Sequence, residues 1–147
     1  LVVITNQSAV GRGWLEEERL ALIHERLVEL LALEGVKLDG IYVCPHTPHA
    51  DCPCRKPRPA LIARAAAELH FNPRESFVIG DKASDIELGR NVGAITFLVR
   101  TGYGAQMAMN PLLKPDYIVD DVWEAAQVIR RQLAGAPSRV PRESDRQ

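Results

Sequence analysis

The sequence lacks the features that mark membrane, secreted and nucleic-acid-binding proteins. Its apolar runs are all shorter than a membrane span, and its first residues, LVVITNQS, have neither the basic region nor the cleavage site of a signal peptide. The net charge is -1, so no face is strongly basic unless another is equally acidic, and basic and aromatic residues are not interleaved. We therefore expect a cytosolic protein that binds neither membranes nor nucleic acids.

Cysteine is scarce as well, because the chain has three, and all of them lie in the stretch from Tyr42 to Pro57, YVCPHTPHADCPCRKP. Together with one histidine they follow the pattern C-x-H-x5-C-x-C. Zinc prefers four thiolate and imidazole ligands in a tetrahedron, and this pattern supplies a complete set. We therefore predict a zinc site in the loop 44–54. The predicted ligands are Cys44, His46, Cys52 and Cys54.

Two other interpretations of the cysteines remain open at this point. The thiols are free, or Cys52 and Cys54 form a disulfide, although a bridge across one residue is strained and leaves the third cysteine unpaired. His49 lies in the same loop and is a substitute ligand whose spacing fits less well. A closed set of four ligands leaves no position for water, so zinc would have a structural role and would hold Arg55 and Lys56 in place.

The length of 147 residues and the hydrophobic content of 46% predict one globular domain, which we place at 1–134. Short β-branched runs alternate with amphipathic stretches, a pattern typical of a three-layer α/β fold with a Rossmann-like, mostly parallel sheet. The polar end, 135–147, is predicted to be a disordered tail. Predicted strands cover 1–4, 41–44, 76–79, 94–99 and 117–119, predicted helices cover 15–34, 59–70, 85–93 and 122–133, and a loop covers 100–114.

Polar residues follow three of the predicted strands. The second strand leads into the zinc loop, and the third leads to Asp81. Because the carboxyl ends of parallel strands meet at one edge of a sheet, we expect these groups to face one crevice. The first strand is followed by Thr5, Asn6, Gln7 and Ser8. The last two of these residues belong to a predicted loop over 7–13.

Each of these groups has a functional and a purely structural interpretation. The hydroxyl and amide groups of TNQS hold an anion, or they form a turn. Arg55 and Lys56 match a phosphate dianion, or they form a solvated basic patch. Asp81 and Asp85 are oxygen ligands that suit Mg2+. Alternatively, Ser84 and Asp85 cap a helix that begins near Asp85. Ser84 has the S-x-x-E spacing of a capping box.

The combination of TNQS, CRKP and GDKASD resembles motifs II, III and IV of the haloacid dehalogenase superfamily of aspartate-nucleophile phosphatases. The run C-x-H-x5-C-x-C-R-K-P is similar to that of the subgroup containing D-glycero-D-manno-heptose 1,7-bisphosphate phosphatase and the histidinol-phosphate phosphatase domain. ITNQSAVGRG and FLVRTGYG look more like the heptose enzymes. The resemblance extends from Leu1 to about Leu133. It implies a Mg2+-dependent phosphomonoesterase that removes the C7 phosphate of a bisphosphorylated heptose.

The resemblance also implies roles for single residues. Thr5 and Lys56 would stabilise the transferred phosphoryl group, whose charge is spread over its oxygens. Asp81 would bind Mg2+, and Asp85 would support the ion from the helix start. The residues expected to contact substrate are Thr5, Asn6, Gln7, Ser8, Arg55, Lys56 and Lys82.

One motif of the family is missing from the sequence. The family's nucleophile and general acid/base lie in a D-x-D motif on a strand that comes before Thr5 in chain order, whereas Asp120 and Asp121 have the wrong spacing and follow the wrong strand. The family's order places that strand at the sheet centre, between the LVVI and FVIG strands. We therefore expect a fragment or a misannotated start, an open core and a chain that is almost inactive alone.

Two further functions compete with the heptose phosphatase. One is a phosphatase for histidinol phosphate or another small phosphorylated metabolite. The other is a noncatalytic module that is stabilised by zinc and binds a phosphate group. All three share a small phosphorylated partner, and we expect a monomer in each case.

Overall fold

The computed structural model describes residues 1–135, in which five strands alternate with helices. Apart from Gly135, the predicted tail lies outside the described residues. No helix in this part of the chain is long and apolar enough to cross a membrane. In chain order the elements are β1 (Val2–Asn6), α1 (Ser8–Gly11), α2 (Glu17–Leu33), β2 (Gly40–Cys44), α3 (Ala60–Leu69), a 3-10 helix (Pro73–Glu75), β3 (Phe77–Gly80), α4 (Ala83–Asn91), β4 (Ile95–Val99), α5 (Gly104–Met107), β5 (Tyr117–Val119) and α6 (Val122–Gly135).

All strand pairs in residues 1–135 are parallel, as the alternation of strands and helices predicts. β1 pairs with β2, and Asn6 lies opposite Cys44 at their carboxyl ends. β4 pairs with β3 on one side and with β5 on the other, and Gly80 lies opposite Leu98. Parallel neighbours need long crossover connections, which the helices provide. The predicted α/β class with a parallel sheet is therefore confirmed.

The strands form two separate sheets, β1–β2 and β3–β4–β5. β1 and β3 do not pair with each other, and side chains from both, such as Ile4 and Val78, line one cavity of about 780 Å³. Most of the remaining lining is apolar, but Lys56 and Asp85 reach it as well. The prediction of an open core is confirmed, because the cavity lies between the LVVI and FVIG strands.

Each sheet has its own apolar core. In the second sheet, the ring of Phe97 stacks on Tyr117 with centroids 4.7 Å apart and meets the edge of Phe77 at 6.1 Å. The first core contains two cysteines of the predicted zinc loop, so the loop is part of the packing and not an appendage. The buried residues are Tyr42, Cys44, Cys52, Leu61 and Ala65 in the first core, and Phe97, Val99, Val119 and Ala125 in the second.

Three local predictions are wrong. The predicted loop 7–13 contains the helical turn α1, and the predicted loop 100–114 contains the helical turn α5. The helix predicted to begin near Asp85 begins at Ala83, because the Asp85 carboxylate accepts a hydrogen bond from the backbone N–H of Lys82 at 3.1 Å. A carboxylate is a stronger acceptor than a hydroxyl, so Asp85 caps the helix and Ser84 lies within its first turn.

Candidate functional site

The loop after β2 gathers the four predicted metal ligands. Their ligand atoms all lie within 4.8 Å of one another. The sulfur of Cys44 lies 3.7 Å from that of Cys52 and 3.6 Å from Nδ1 of His46, which lies 3.2 Å from the sulfur of Cys54. Two sulfurs bound to one tetrahedral zinc are about 3.8 Å apart, given Zn–S bonds of about 2.3 Å. The set therefore fits zinc, while His49 lies outside the cluster.

The three cysteines form no disulfide, and the pKa values of two of them are shifted. Burial, followed by hydrogen bonds with Cys44 and Cys52, raises the pKa of Cys54 to about 12. Burial also raises the pKa of Cys52, but hydrogen bonds from Cys54 and from the backbone of Arg55 outweigh it and leave this pKa below its ordinary value. Deprotonating Cys54 needs a nearby positive charge, which a zinc ion supplies. The chemistry of the donor set thus agrees with its geometry.

The segment after β1 is hydrogen-bonded to the zinc loop and to the end of β2. The backbone N–H of Gln7 donates to the carbonyl of Cys44 at 2.8 Å, and the N–H of Gly11 donates to the carbonyl of Pro45 at 2.8 Å. A Cβ on Gly11 would lie 2.6 Å from that carbonyl oxygen, so the approach requires glycine. From the other side, Nη1 of Arg55 donates to the carbonyl of His46 at 3.2 Å. These contacts join the first two strand ends into one surface.

Lys56 is the centre of the next group of contacts. Its ammonium donates to the carbonyl of Ile4 at 2.7 Å and lies 2.7 Å from Oδ1 of Asp85. Its backbone N–H donates to the side-chain oxygen of Asn6 at 3.1 Å, and Thr5 accepts a hydrogen bond from Gln7 at 3.0 Å. The ammonium is thereby held at the mouth of the cavity between β1 and β3.

Asp85 is 6% exposed, and both of its carboxylate oxygens are engaged. Oδ1 contacts Lys56, and Oδ2 accepts the hydrogen bond from Lys82 that caps α4. A Cβ on Gly80 would lie 2.3 Å from the Cβ of Asp85, so this carboxylate comes close only because the end of β3 is a glycine. Asp85 connects the third strand end to Lys56, and direct coordination of Mg2+ would have to replace one of these contacts.

Asp81 and Lys82 lie against a turn formed by residues 101–104. Oδ2 of Asp81 accepts a hydrogen bond from the backbone N–H of Tyr103 at 3.0 Å. The ammonium of Lys82 lies 4.8 Å from the centroid of the Tyr103 ring, within the range of a cation–π contact. Of the predicted site residues, Asn6 and Asp85 contact Lys56 directly. Thr5 and Gln7 contact each other, Ser8 begins α1, and Arg55 contacts the zinc loop.

Comparison with known proteins gives concordant matches. Residues 53–125 match the family model described as HAD-hydrolase-like. Over 137 residues the chain is 34% identical to D-glycero-beta-D-manno-heptose-1,7-bisphosphate 7-phosphatase of Pasteurella multocida, a match that covers 88% of this chain and 73% of that protein. The chain belongs to the haloacid dehalogenase-like hydrolases. The motif-based assignment to this family of phosphate-ester hydrolases is therefore confirmed.

Two further relatives place the chain within the haloacid dehalogenase-like hydrolases. The crystal structure of D,D-heptose 1,7-bisphosphate phosphatase from B. bronchiseptica, complexed with magnesium and phosphate, matches with a TM-score of 0.83 and 30% identity, over 89% of this chain and 74% of that one. The histidine biosynthesis bifunctional protein HisB of Actinobacillus pleuropneumoniae is 36% identical over 92 residues, which is 63% of this chain and 26% of that protein. The name of the first relative is that of the heptose enzymes that the zinc-loop motif indicates.

Sequence reasoning assigned no role in this haloacid dehalogenase-like site to the turn 101–104. Gly102 has a φ of +60°, and a Cβ there would lie 2.3 Å from Oδ2 of Asp81. A Cβ on Gly104 would lie 1.6 Å from the carbonyl oxygen of Val99. The signal in the sequence was the pair of glycines that flanks Tyr103 just after β4. The turn therefore requires Gly102 for its approach to Asp81 and Gly104 for its approach to the end of β4.

Replacing Gly102 with alanine is expected to move Asp81 and to lower the free energy of unfolding by more than backbone strain alone. Strain from a non-glycine residue at positive φ costs about 1–3 kcal/mol. Gly35→Ala is the matched control, because Gly35 has a φ of +73° and nothing within 4 Å of its Cβ position. Urea unfolding of both variants measures the difference, and equal losses would show that the clash with Asp81 is absent.

Proposed function

We propose that the protein is a Mg2+-dependent phosphomonoesterase that removes the 7-phosphate of D-glycero-D-manno-heptose 1,7-bisphosphate through an aspartyl-phosphate. The observation that carries this proposal is the position of Lys56 near the carboxyl ends of β1 and β3, where its ammonium contacts the carbonyl of Ile4 and the carboxylate of Asp85. The names of the relatives at 34% and 30% identity support the choice of substrate. Ligands of parallel α/β sheets occupy this same edge.

The proposed roles follow the chemistry of each group. Lys56 supplies a positive charge, and Thr5 supplies a hydroxyl, to the oxygens of the transferred phosphoryl group. Arg55 presents a planar guanidinium that suits bidentate contact with phosphate or a neighbouring oxygen. The remaining residues assigned to substrate contact are Asn6, Gln7, Ser8 and Lys82.

Asp81 is the residue that would hold Mg2+, and Asp85 would support it from the start of α4. One oxygen of Asp81 accepts a hydrogen bond from the backbone of Tyr103, which restrains the carboxylate, and the other oxygen would be the ligand of the ion. Mg2+ would neutralise part of the charge on the phosphate oxygens. The zinc of the loop 44–54 has a separate, structural role, because its four ligands leave no position for water.

The sequence contains no D-x-D, so the nucleophile is not one of the 147 residues. We propose that this chain alone binds phosphate with turnover reduced by about 10^4 to 10^6, the usual effect of removing a covalent nucleophile. The phosphatase domain in the proposal spans 1–134 and is a monomer. The three thiolate ligands need a reducing compartment, which supports a cytoplasmic location.

The test combines binding with turnover. Calorimetric titration of the 147-residue chain with inorganic phosphate should show binding that Lys56→Met abolishes. Phosphate release from heptose 1,7-bisphosphate and from histidinol phosphate is measured with the protein in the form that its gene expresses, with and without Mg2+. Preference for the heptose substrate and loss of turnover without Mg2+ are expected, and a chain that does not bind phosphate at millimolar concentration would contradict the proposal.

Two alternatives are separated by the same experiment. One is a phosphatase for histidinol phosphate, and faster release from histidinol phosphate would select it. The other is a noncatalytic module that binds phosphate. Phosphate binding without release from any substrate would select that module.

A further inference from the structure

The pair Arg12 and Trp14, which has no role in the site described above, lies beside the zinc loop. Trp14 is 76% exposed, and the guanidinium of Arg12 lies 5.0 Å from the centroid of its ring. A tryptophan this exposed adds little to the stability of the core, since the hydrophobic gain scales with the apolar area removed from water. Within the described residues, Arg12 makes no ion pair with a carboxylate.

The backbone of the pair is fixed to the residues proposed to contact substrate. The N–H of Arg12 donates to the carbonyl of Ser8 at 3.1 Å, and the N–H of Trp14 donates to the carbonyl of Ala9 at 2.9 Å. Gly11, the last residue of α1 and the neighbour of Arg12, is held against the zinc loop by its hydrogen bond to Pro45. The pair therefore lies on the same surface as TNQS and Arg55, at the carboxyl ends of the strands. Hydrogen bonds hold the backbone of the pair in place without a ligand.

To bind a sugar with two phosphates, a protein needs contacts beyond those to the phosphate that is removed. The second phosphate needs its own positive charge, and the sugar ring needs a surface for its C–H groups. The face of an indole ring carries negative potential, which attracts polarised C–H groups as well as cations. A guanidinium supplies the two parallel donors that a phosphate accepts. An exposed Trp–Arg pair offers both in one place.

The other cations of the surface are already engaged. Arg55 donates to the carbonyl of His46, and Lys82 lies over the ring of Tyr103. Arg58 donates to the carbonyl of Cys52 and pairs with Asp51. Unlike Arg55 and Arg58, Arg12 has an aromatic ring as its partner, which leaves the N–H groups in the guanidinium plane for a ligand.

We propose that Arg12 and Trp14 form a subsite that binds the sugar ring and the phosphate that is not hydrolysed. The inference rests on the proposed function and deepens it, because it assigns the part of the substrate that distinguishes a bisphosphorylated sugar from a single phosphate. The subsite acts in binding and specificity, and it makes no contact with the reacting phosphoryl group.

The experiment compares two ligands across four proteins. Calorimetry measures the dissociation constants of heptose 1,7-bisphosphate and of inorganic phosphate for the unaltered chain, Arg12→Gln, Trp14→Leu and the control Arg19→Gln, which removes an equal charge from an exposed position of α2. Loss of a charge-assisted hydrogen bond corresponds to about 10- to 100-fold in affinity. We expect R12Q to weaken the bisphosphate by about that factor and inorganic phosphate by less than about twofold, and R19Q to leave both unchanged.

A fluorescence measurement locates the ligand independently. The chain has two tryptophans, so Trp123→Phe leaves Trp14 as the only one. Its emission should change on adding the bisphosphate and stay constant on adding inorganic phosphate. Binding that R12Q and W14L leave intact, or that they weaken equally for both ligands, would overturn the subsite while the proposed function stands. Failure of the unaltered chain to bind either ligand would overturn both.

Discussion

A zinc chelator is expected to strip the metal from the loop 44–54 and to remove most of the free energy of unfolding. Structural zinc contributes about 10–16 kcal/mol of apparent binding free energy, whereas the whole free energy of unfolding of a domain is about 5–15 kcal/mol. Cys44 and Cys52 also belong to the buried core of the first sheet, so the loss extends beyond the loop. Urea unfolding followed by circular dichroism measures the change, and a colorimetric assay measures the released zinc.

Two variants control for side effects of the chelator. Cys44→Ser changes a fully buried ligand and should reproduce the loss, with less than one zinc bound per chain. His49→Ala changes a histidine of the same loop outside the four-ligand cluster, so zinc content and unfolding should stay unchanged. Phosphate affinity should fall in C44S because Arg55 and Lys56 lose their support. Identical unfolding curves with and without zinc would show that the metal does not stabilise this protein.

Replacing Lys56 with methionine should lower the free energy of unfolding by about 3–5 kcal/mol, the usual cost of removing one partner from a buried ion pair. The ammonium and Oδ1 of Asp85 lie 2.7 Å apart, and their side chains are 15% and 9% exposed. The substitution also removes the donor to the carbonyl of Ile4. The same protein should lose phosphate binding, so urea unfolding and phosphate titration are both informative.

Asp85→Asn and the double variant complete a thermodynamic cycle with Lys56→Met. Removing both charges should recover part of the stability, because no uncompensated charge stays buried. Phosphate affinity should not recover, since the positive charge is still missing. Losses that simply add in the double variant would mean that the two charges do not interact.

The sequence predicted the zinc ligands and the parallel fold because both depend on local spacing. Cys44 and His46, and Cys52 and Cys54, are separated by single residues, so little chain needs to fold to bring each pair together. Alternation of β-branched runs with amphipathic stretches determined the order of strands and helices. The gap between β1 and β3 was predicted from the motif order of the family, which has a strand at that position.

The contacts that shape the site were not predictable in the same way. Lys56 and Asp85 are distant in sequence, and their ion pair depends on how two strand ends approach each other. The hydrogen bond from Tyr103 to Asp81 likewise depends on the position of β4 beside β3. For α4, the S-x-x-E spacing indicated the wrong cap, because spacing alone does not show which side chain the preceding backbone N–H reaches.

Because the protein has two separate cores, phosphate binding would affect how cooperatively it unfolds. The helices of each sheet pack chiefly against that sheet, and the bridges between the halves include the Lys56–Asp85 pair and the hydrogen bond from Asn91 to the carbonyl of Pro57 at 3.0 Å. Phosphate bound between Lys56 and the end of β3, as we propose, would add a further bridge and would stabilise only the arrangement in which both halves are aligned. The ligand would thus be a source of cooperativity and would make the two halves melt as one unit.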